Sequence, residues 1–236
     1  MRFSSYCYTN PGGRSPNEDA VGAFANGDFN AWIAADGLGG HSYGEKASAE
    51  AVHVLEAELE KCTKIDEKFV SDTFKAMNEA VTALGGPLTT AACAFSDGKK
   101  LFYGNNGDSR FIFIRGKKIL HHTNDHSLAY VAYRSGTITY EEIPTHPAQN
   151  RLYHSLGNEP DFSAELYESI DLKAGDGFIL CTDGFWELVR DIEMIRTLNI
   201  ADSPRQWMEL LLDCLEPRLK ANSDNYTAVC VMVEAD

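Results

Sequence analysis

The chain has 236 residues, 44% of them hydrophobic, and a formal net charge of −14. This length fits one large domain, and no linker, repeat or low-complexity run divides it, so we expect a single domain over residues 1–236. The acidity argues against nucleic acid as a partner, and the lack of a signal peptide or a long apolar run predicts a cytoplasmic protein with no membrane segment.

The first part of the chain predicts strands followed by two helices. An apolar run predicts a buried strand that ends at Asp36, and the spacing of Ser42 and Glu45 is typical of a capping box that opens a helix. Each helix has an apolar stripe for one buried face. The expected elements are strands at 2–8, 20–25 and 29–35 and helices at 42–62 and 66–84.

The second part returns to strands with a period of two, joined by tight turns. A further helix is expected from Ser203-Pro204, a good N-cap followed by proline in the first turn. Hairpins with grouped helices favour an α+β fold in which helices cover antiparallel sheets. The expected strands lie at 89–95, 101–105, 110–115, 119–120, 164–170, 177–182 and 226–233.

Aspartates recur at the ends of the predicted strands. The stretch from Asp36 to His41 combines a carboxylate, a glycine-rich turn and an imidazole, and Asp108, Asp183 and Asp224 have similar settings. Each alone is most often a turn residue. Together they offer oxygen ligands and a single nearby histidine, which selects Mg²⁺ or Mn²⁺ over zinc or copper.

The cysteines and the remaining histidine cluster have structural interpretations. The six cysteines have no metal-ligand spacing and predict core residues in a reducing compartment. His121, His122 and His126 lie across a transition from strand to loop, so we expect hydrogen-bonding roles for them, and a structural role for Asp125.

Eight blocks, taken in order, resemble a known family. Their spacing is similar to that of the bacterial branch of the metal-dependent protein phosphatases of type 2C, the PPM family. The resemblance spans nearly the whole chain. It implies a four-layer α-β-β-α sandwich, with two packed antiparallel sheets flanked by helix pairs. The blocks are Arg14 to Ala20, Asp36 to His41, Thr89-Thr90, Gly107 to Arg110, Asp125-His126, Asn150 to Gly157, Thr182 to Gly184 and Asp224-Asn225.

The resemblance implies hydrolysis of phosphoserine and phosphothreonine in proteins by a metal-activated water, without a phosphoenzyme. Asp36 would bridge two Mn²⁺ or Mg²⁺ ions, with the carbonyl of Gly37 on the second ion and Asp183 and Asp224 on the first. Asp108 resembles the aspartate that, together with Asp183, binds a weaker third ion. Such ions lower the pKa of water toward neutrality.

Further roles follow from the same resemblance. Glu18 and Asp19 would hold waters that bind the metals. Arg14 resembles the family's phosphate-binding arginine, which grips phosphate oxygens by a bidentate fork. His41 resembles the general acid that gives the leaving serine oxygen a proton, an effect worth about 10²- to 10⁴-fold in rate.

The segment at about 127–145 corresponds to the family's mobile flap beside the active site, and we expect it to help select substrates. The implied partners are phosphorylated proteins and an opposing bacterial Ser/Thr kinase, and the expected state is a monomer. The chain departs from the family pattern at Leu88, before the Thr-Thr pair, and at Phe185-Trp186-Glu187. Neither departure removes an expected ligand.

Two other classes of function stay open at this level. A non-catalytic pseudophosphatase or regulatory module would bind the metal without turnover, although every matching ligand position is intact. A regulatory domain related to sporulation or anti-sigma switches would carry additional sensor or coiled-coil segments, for which we expect no room in this chain.

Overall fold

Two antiparallel sheets form the centre of the computed structural model, which describes residues 1–38, 43–158, 162 and 164–235. Hairpin turns and alternating apolar residues produce most of these strands. In chain order the strands are β1 (Arg2–Asn10), β2 (Asp19–Asn26), β3 (Phe29–Leu38), β4 (Leu88–Thr89), β5 (Ala91–Ser96), β6 (Lys100–Asn106), β7 (Arg110–Arg115), β8 (Lys118–His122), β9 (Glu165–Leu166), β10 (Ile170–Asp171), β11 (Asp176–Cys181) and β12 (Tyr226–Glu234).

The strands divide between the sheets in a simple order. The first sheet runs β1-β12-β11-β7-β8, and the second runs β10-β6-β5-β3-β2, with β4 added beside β3 and β9 beside β6. Strand β12 therefore lies between the first strand of the chain and β11. All named strand pairs in the described residues are antiparallel.

Some of the helices begin at a residue whose side chain caps them. Asp66 accepts a hydrogen bond from the amide of Phe69 at 2.9 Å, and Ser203 caps the helix that Pro204 opens. Short 3₁₀ turns lie at Tyr140–Thr145 and Glu216–Arg218. The α-helices are α1 (Gly44–Glu60), α2 (Glu67–Ala83), α3 (Leu128–Arg134), α4 (Asp183–Trp186), α5 (Asp191–Leu198) and α6 (Pro204–Leu215).

Three apolar clusters hold the layers together. Helices α1 and α2 cover the outer face of the second sheet, and α5 and α6 cover the outer face of the first. Between the sheets, Trp32 packs edge-on against Phe178 with ring centroids 5.0 Å apart. This arrangement confirms the predicted four-layer α-β-β-α sandwich. Within the described ranges, no helix combines the length and apolar character needed to cross a bilayer.

The main corrections concern element boundaries. Strand β3 does not end before Asp36 but continues to Leu38, because Asp36 pairs with Asp19 and Gly37 pairs with Thr89. Helix α1 is capped by Tyr43, which has a φ of 79° and no side-chain cap bond, so the predicted capping box is wrong at Glu45. The Ser42 of that box lies outside the described residues.

Two predicted strands are interrupted. The strand expected at 89–95 is split between β4 and β5, and the strand expected at 164–170 is reduced to β9 and β10. The predicted flap, 127–145, contains helix α3 and the 3₁₀ turn at Tyr140–Thr145. This segment packs on the first sheet through the buried side chains of Tyr130 and Ile143.

Candidate metal centre

The centre is built around Asp36, whose main chain is fixed on both sides. Its amide donates to Thr90 Oγ1 at 2.9 Å, and its carbonyl accepts from the Thr90 amide and from Thr89 Oγ1, both at 2.8 Å. The antiparallel register places Asp19 of β2 directly opposite. Asp36 and Asp19 therefore enter the site from neighbouring strands of one sheet.

Asp183 and Asp224 reach the site from the other sheet. Asp183 follows β11 and Asp224 precedes β12, and those strands are paired antiparallel. Each carboxylate accepts from the following amide, at 2.6 Å for Asp183 and 2.9 Å for Asp224. Gly184 permits this approach, since a Cβ there would lie 2.1 Å from the carbonyl oxygen of Asn225. Only glycine fits between the two aspartates.

A hydrogen bond joins the two halves of the centre. Thr182 Oγ1 donates to Asp19 Oδ2 at 2.9 Å, linking the end of β11 to β2 across the sandwich. A second link comes from Asn225, whose Oδ1 accepts from the Glu18 amide at 2.9 Å. The carboxylates from the two sheets are therefore held in register by neutral side chains.

Asp108 lies in the turn between β6 and β7 and is only 2% exposed. Its Oδ2 accepts from Gln149 Nε2 at 3.2 Å, and its carbonyl accepts from Trp186 Nε1 at 3.0 Å. Trp186 belongs to the same short helix as Asp183. The contact therefore connects Asp108 to the chain segment that carries Asp183.

Burial and mutual repulsion perturb these acids in one direction. Loss of solvation, followed by the charges of the other four aspartates, raises the pKa of Asp36 well above its usual range. Burial raises the pKa of Asp19 to about 7 and that of Asp183 to about 6, and raises the pKa of Asp108 strongly. Bound cations would relieve the electrostatic repulsion among these five carboxyl groups.

The donor set fits a divalent cation. Asp19 Oδ1 and Asp108 Oδ1 are buried acceptor oxygens without a hydrogen-bond partner, a state that proteins avoid. In the described residues, no three Asp, Glu, His or Cys side chains already surround one point at coordinating positions. The available donors are carboxylate and carbonyl oxygens, which suit Mg²⁺ or Mn²⁺.

Gly37 and Glu18 lie beside the aspartates. The Gly37 amide donates to the Glu18 carbonyl at 3.1 Å, and Ser48 Oγ donates to the same carbonyl at 2.5 Å. A Cβ on Gly37 would lie 2.2 Å from the carbonyl oxygen of Gly44. The backbone at Gly37 can therefore approach helix α1 only because the residue is glycine.

Arg14 lies at the mouth of the centre. Its guanidinium Nη1 is 2.5 Å from Asp224 Oδ1, and its side chain is 54% exposed. Its charge partly offsets the burial that raises the pKa of Asp183, so it acts on both aspartates. The loop that carries it is held to the segment before β12, where Asn225 Nδ2 donates to the carbonyl of Pro11 at 2.8 Å.

The predicted general acid, His41, lies outside the described residues, as do Gly39 and Gly40 of the same motif. The remaining predicted site residues converge: the structure brings Arg14, Glu18, Asp19, Asp36, Gly37, Asp108, Asp183 and Asp224 to one end of the two sheets.

Asp125 and His126 make hydrogen bonds within the fold, next to the turn of Asp108. Asp125 receives two hydrogen bonds from the Arg110 guanidinium, at 2.8 and 2.6 Å, and both side chains are buried. His126 Nδ1 accepts from the Gly107 amide at 3.1 Å, and its Nε2 lies 2.9 Å from Glu165. These contacts brace the turn that carries Asp108.

Sequence reasoning missed three side chains around the centre. Gln149 reaches Asp108, and Glu45 adds its charge to the burial that raises the pKa of Glu18. Burial, followed by the charges of Asp183 and Asp224, raises the pKa of Glu187 to about 8. Glu45 could have been found from its place in the first turn after the glycine-rich motif. Gln149 has no local pattern that marks it.

Two cavities of similar size lie at opposite ends of β11. One, of about 430 Å³, lies between the 3₁₀ turn of the flap and the segment after Asp183, and is lined by Tyr140, Trp186 and Glu187 among others. The other, of about 440 Å³, lies beside Gly175, at the far end of the strand. Only the first adjoins the acidic centre, because Trp186 contacts Asp108.

Comparison with known proteins agrees with this geometry. Residues 12–222 match the family described as Protein phosphatase 2C. The chain belongs to the protein phosphatase 2C family. A curated relative, the serine/threonine phosphatase stp of Listeria monocytogenes, is 29% identical over 235 residues, covering 92% of this chain and 90% of the relative.

Solved structures of protein phosphatase 2C relatives share the fold along the whole chain. The serine/threonine phosphatase Stp1 from Staphylococcus aureus superimposes with a TM-score of 0.88 at 27% identity, covering 100% of this chain and 96% of that one. The catalytic domain of the phosphatase PstP, in complex with two manganese ions, gives a TM-score of 0.80 at 25% identity, with 99% of each chain covered.

Proposed function

We propose that this protein phosphatase 2C family member is a metal-dependent protein serine/threonine phosphatase. The observation that carries the proposal is the convergence of Asp36, Asp183 and Asp224 from two sheets beneath an exposed arginine. Membership of the family and the manganese complex of the relative PstP support the metal dependence. We take residues 1–236 as one catalytic domain.

The proposed ligands follow the arrangement of oxygen donors. Asp36, Asp183, Asp224 and the carbonyl of Gly37 would hold two Mn²⁺ or Mg²⁺ ions, with Glu18 and Asp19 orienting waters around them. Asp108 with Asp183 would hold a weaker third ion. Bound ions would neutralise phosphate oxygens and acidify a water for attack on phosphorus.

The chain's own residues would position the substrate and move the proton. Arg14 has five donors in a fork, so pairing one nitrogen with Asp224 leaves others for two phosphate oxygens. As the bond between phosphorus and the serine oxygen breaks, His41 is proposed to give that oxygen a proton, since imidazole titrates near neutrality. No covalent enzyme intermediate is needed.

The proposal extends to the cellular setting. All six cysteines are free, which agrees with a reducing cytoplasm. We propose that the protein acts there as a monomer on phosphorylated proteins and opposes a Ser/Thr kinase. The flap and the cavity of about 430 Å³ beside Trp186 would contact substrate residues next to the phosphorylated one.

Hydrolysis of a phosphothreonine peptide by metal-stripped protein, with Mn²⁺ or Mg²⁺ added back, tests the proposal. We expect activity that needs the ion, is lost with chelator, and is insensitive to thiol alkylation. Binding of Mn²⁺ by calorimetry without phosphate release would instead favour the pseudophosphatase alternative. Activity retained in excess chelator would contradict the metal-dependent reaction.

A further inference from the structure

Gln149 is the only glutamine that contacts the acidic centre within the described part of the chain, and it reaches it from just beyond the flap. The main-chain amide of Gln149 donates to the His146 carbonyl at 3.0 Å, which closes a turn. Two residues later, the carbonyl of Arg151 accepts from the Leu128 amide at 2.9 Å. Gln149 therefore lies in a short stretch of chain whose main chain bonds the start of the flap at Leu128 and the residue just after its end, His146.

The side chain of Gln149 is 3% exposed and only half satisfied. Its Nε2 donates to Asp108 Oδ2 at 3.2 Å. Its Oε1 is buried without a hydrogen-bond partner, and so is Asp108 Oδ1. Two buried acceptor oxygens on a pair of touching side chains call for a shared donor or a cation, because a buried acceptor left unpaired is costly.

The surroundings favour a cation over a donor. The charges of Asp183 and Asp125 both act on Asp108 and outweigh the opposing charge of Arg110, so the electric potential there is negative. A neutral amide oxygen is a common ligand for hard divalent ions and adds no further repulsion among the carboxylates. A purely structural glutamine would need only the Nε2 hydrogen bond, which leaves Oε1 unexplained.

We propose that Gln149 contributes its amide oxygen to the cation held by Asp108 and Asp183, and thereby couples occupancy of that ion to the flap. The inference rests on the third ion of the proposed function. Gln149 is then a metal ligand on the segment that leads out of the flap. The amide would release Asp108 Oδ2 and present Oε1 when the ion binds.

Calorimetric titration of the full chain with Mn²⁺ tests this ligand directly. Gln149→Met keeps the length of the side chain and removes the amide, so the weakest binding event should weaken about 10- to 100-fold. Gln149→Glu should tighten it. Gln206→Met, on helix α6, is the matched control and should bind as the unaltered protein does, because Gln206 Oε1 accepts from the Asp202 amide on a remote surface.

Hydrogen exchange of the flap supplies a second readout. In the unaltered protein, saturating Mn²⁺ should slow amide exchange over 127–150 beyond the level reached with only the tighter ions bound, and Gln149→Met should remove this extra protection. If Gln149→Met does not fold, a Mn²⁺-soaked crystal of the unaltered protein decides. Oε1 bonded directly to the ion supports the proposal, and an occupied ion site with Gln149 still hydrogen-bonded to Asp108 through Nε2 contradicts it.

Two results would overturn the inference. One is a Gln149→Met variant that binds every ion as the unaltered protein does while Asp108→Asn loses one. The other is an Asp108→Asn variant that binds as many ions as the unaltered protein, because no ion would then depend on Asp108. Failure of phosphopeptide hydrolysis with all ions bound would defeat the proposed function and leave this ligand assignment standing.

Discussion

The carboxylate cluster and the groups around its mouth are built in opposite ways. Asp36 lies inside a strand, and Asp183, which is 6% exposed, directly follows one. Arg14 is 54% exposed on a loop, and the flap is an excursion between strands. The buried aspartates thus form a rigid, preorganised cradle that suits the proposed ions, whereas the groups at its mouth lie on segments between strands, where binding residues are commonly found.

Replacing one of the aspartates that form the cradle should have the largest effect on activity. Asp183→Asn removes a proposed ligand shared by two ion sites, and we expect kcat/KM for a phosphothreonine peptide to fall about 10³-fold or more. Asp213→Asn, an exposed position on helix α6, is the matched control. Near-normal turnover by Asp183→Asn at saturating Mn²⁺ would show that the cradle is not the catalytic centre.

In the metal-free protein, the pH dependence of the free energy of unfolding should report the raised pKa values of the clustered aspartates. Folding raises the pKa of Asp19 to about 7 and that of Asp183 to about 6. The folded state therefore binds more protons than the unfolded state between pH 4 and pH 7. The free energy of unfolding should fall as pH rises through this window, by about 1.4 kcal/mol per pH unit for each extra proton.

Urea unfolding in chelator at a series of pH values measures this slope. Saturating Mn²⁺ should remove it, because bound cations keep the carboxylates ionised in the folded state. A metal-free protein whose stability rises from pH 5 to pH 7 would contradict the raised pKa values and the close approach of the acids.

Replacing Arg14, which lies on a loop, should lower turnover without changing the affinity for the ions. Arg14→Lys keeps the charge and loses the bidentate fork, so we expect kcat/KM to fall about 10- to 100-fold with Mn²⁺ affinity close to normal. Arg2→Lys is the control, because the exposed guanidinium of Arg2 donates to the Ala235 carbonyl, away from the centre. Loss of Mn²⁺ binding in Arg14→Lys would place Arg14 in the cradle instead.

A smaller effect should follow from loosening the backbone beneath Asp36. Thr90→Val removes the acceptor for the Asp36 amide and the hydrogen bond to Ser109, a change that costs about 1–3 kcal/mol of unfolding free energy. Thr82→Val, at an exposed helical position whose hydroxyl bonds the Asn78 carbonyl, should cost less. Urea unfolding measures both variants. Equal losses of unfolding free energy would show that Thr90 does not stabilise the centre.

Local sequence patterns predicted most of the strands and helices, and the family resemblance predicted most of the residues that meet at the centre. Turn residues and apolar stripes located the hairpins and helices, because their causes lie within a few residues. The end of β3 was misplaced at Asp36, since continued pairing depends on Asp19 and Thr89, which are remote in sequence. Gln149 was missed for the same reason: only the folded chain brings it to Asp108.

The position of β12 sets a condition on biosynthesis. Its neighbours in the sheet are β1 and β11, and Asp224 lies just ahead of it. Until residues 226–234 leave the ribosome, the first strand has no partner there and Asp224 has no anchor. A nascent chain should therefore stay unable to act on phosphoproteins until this strand has emerged from the ribosome, and truncations before it should yield no active enzyme.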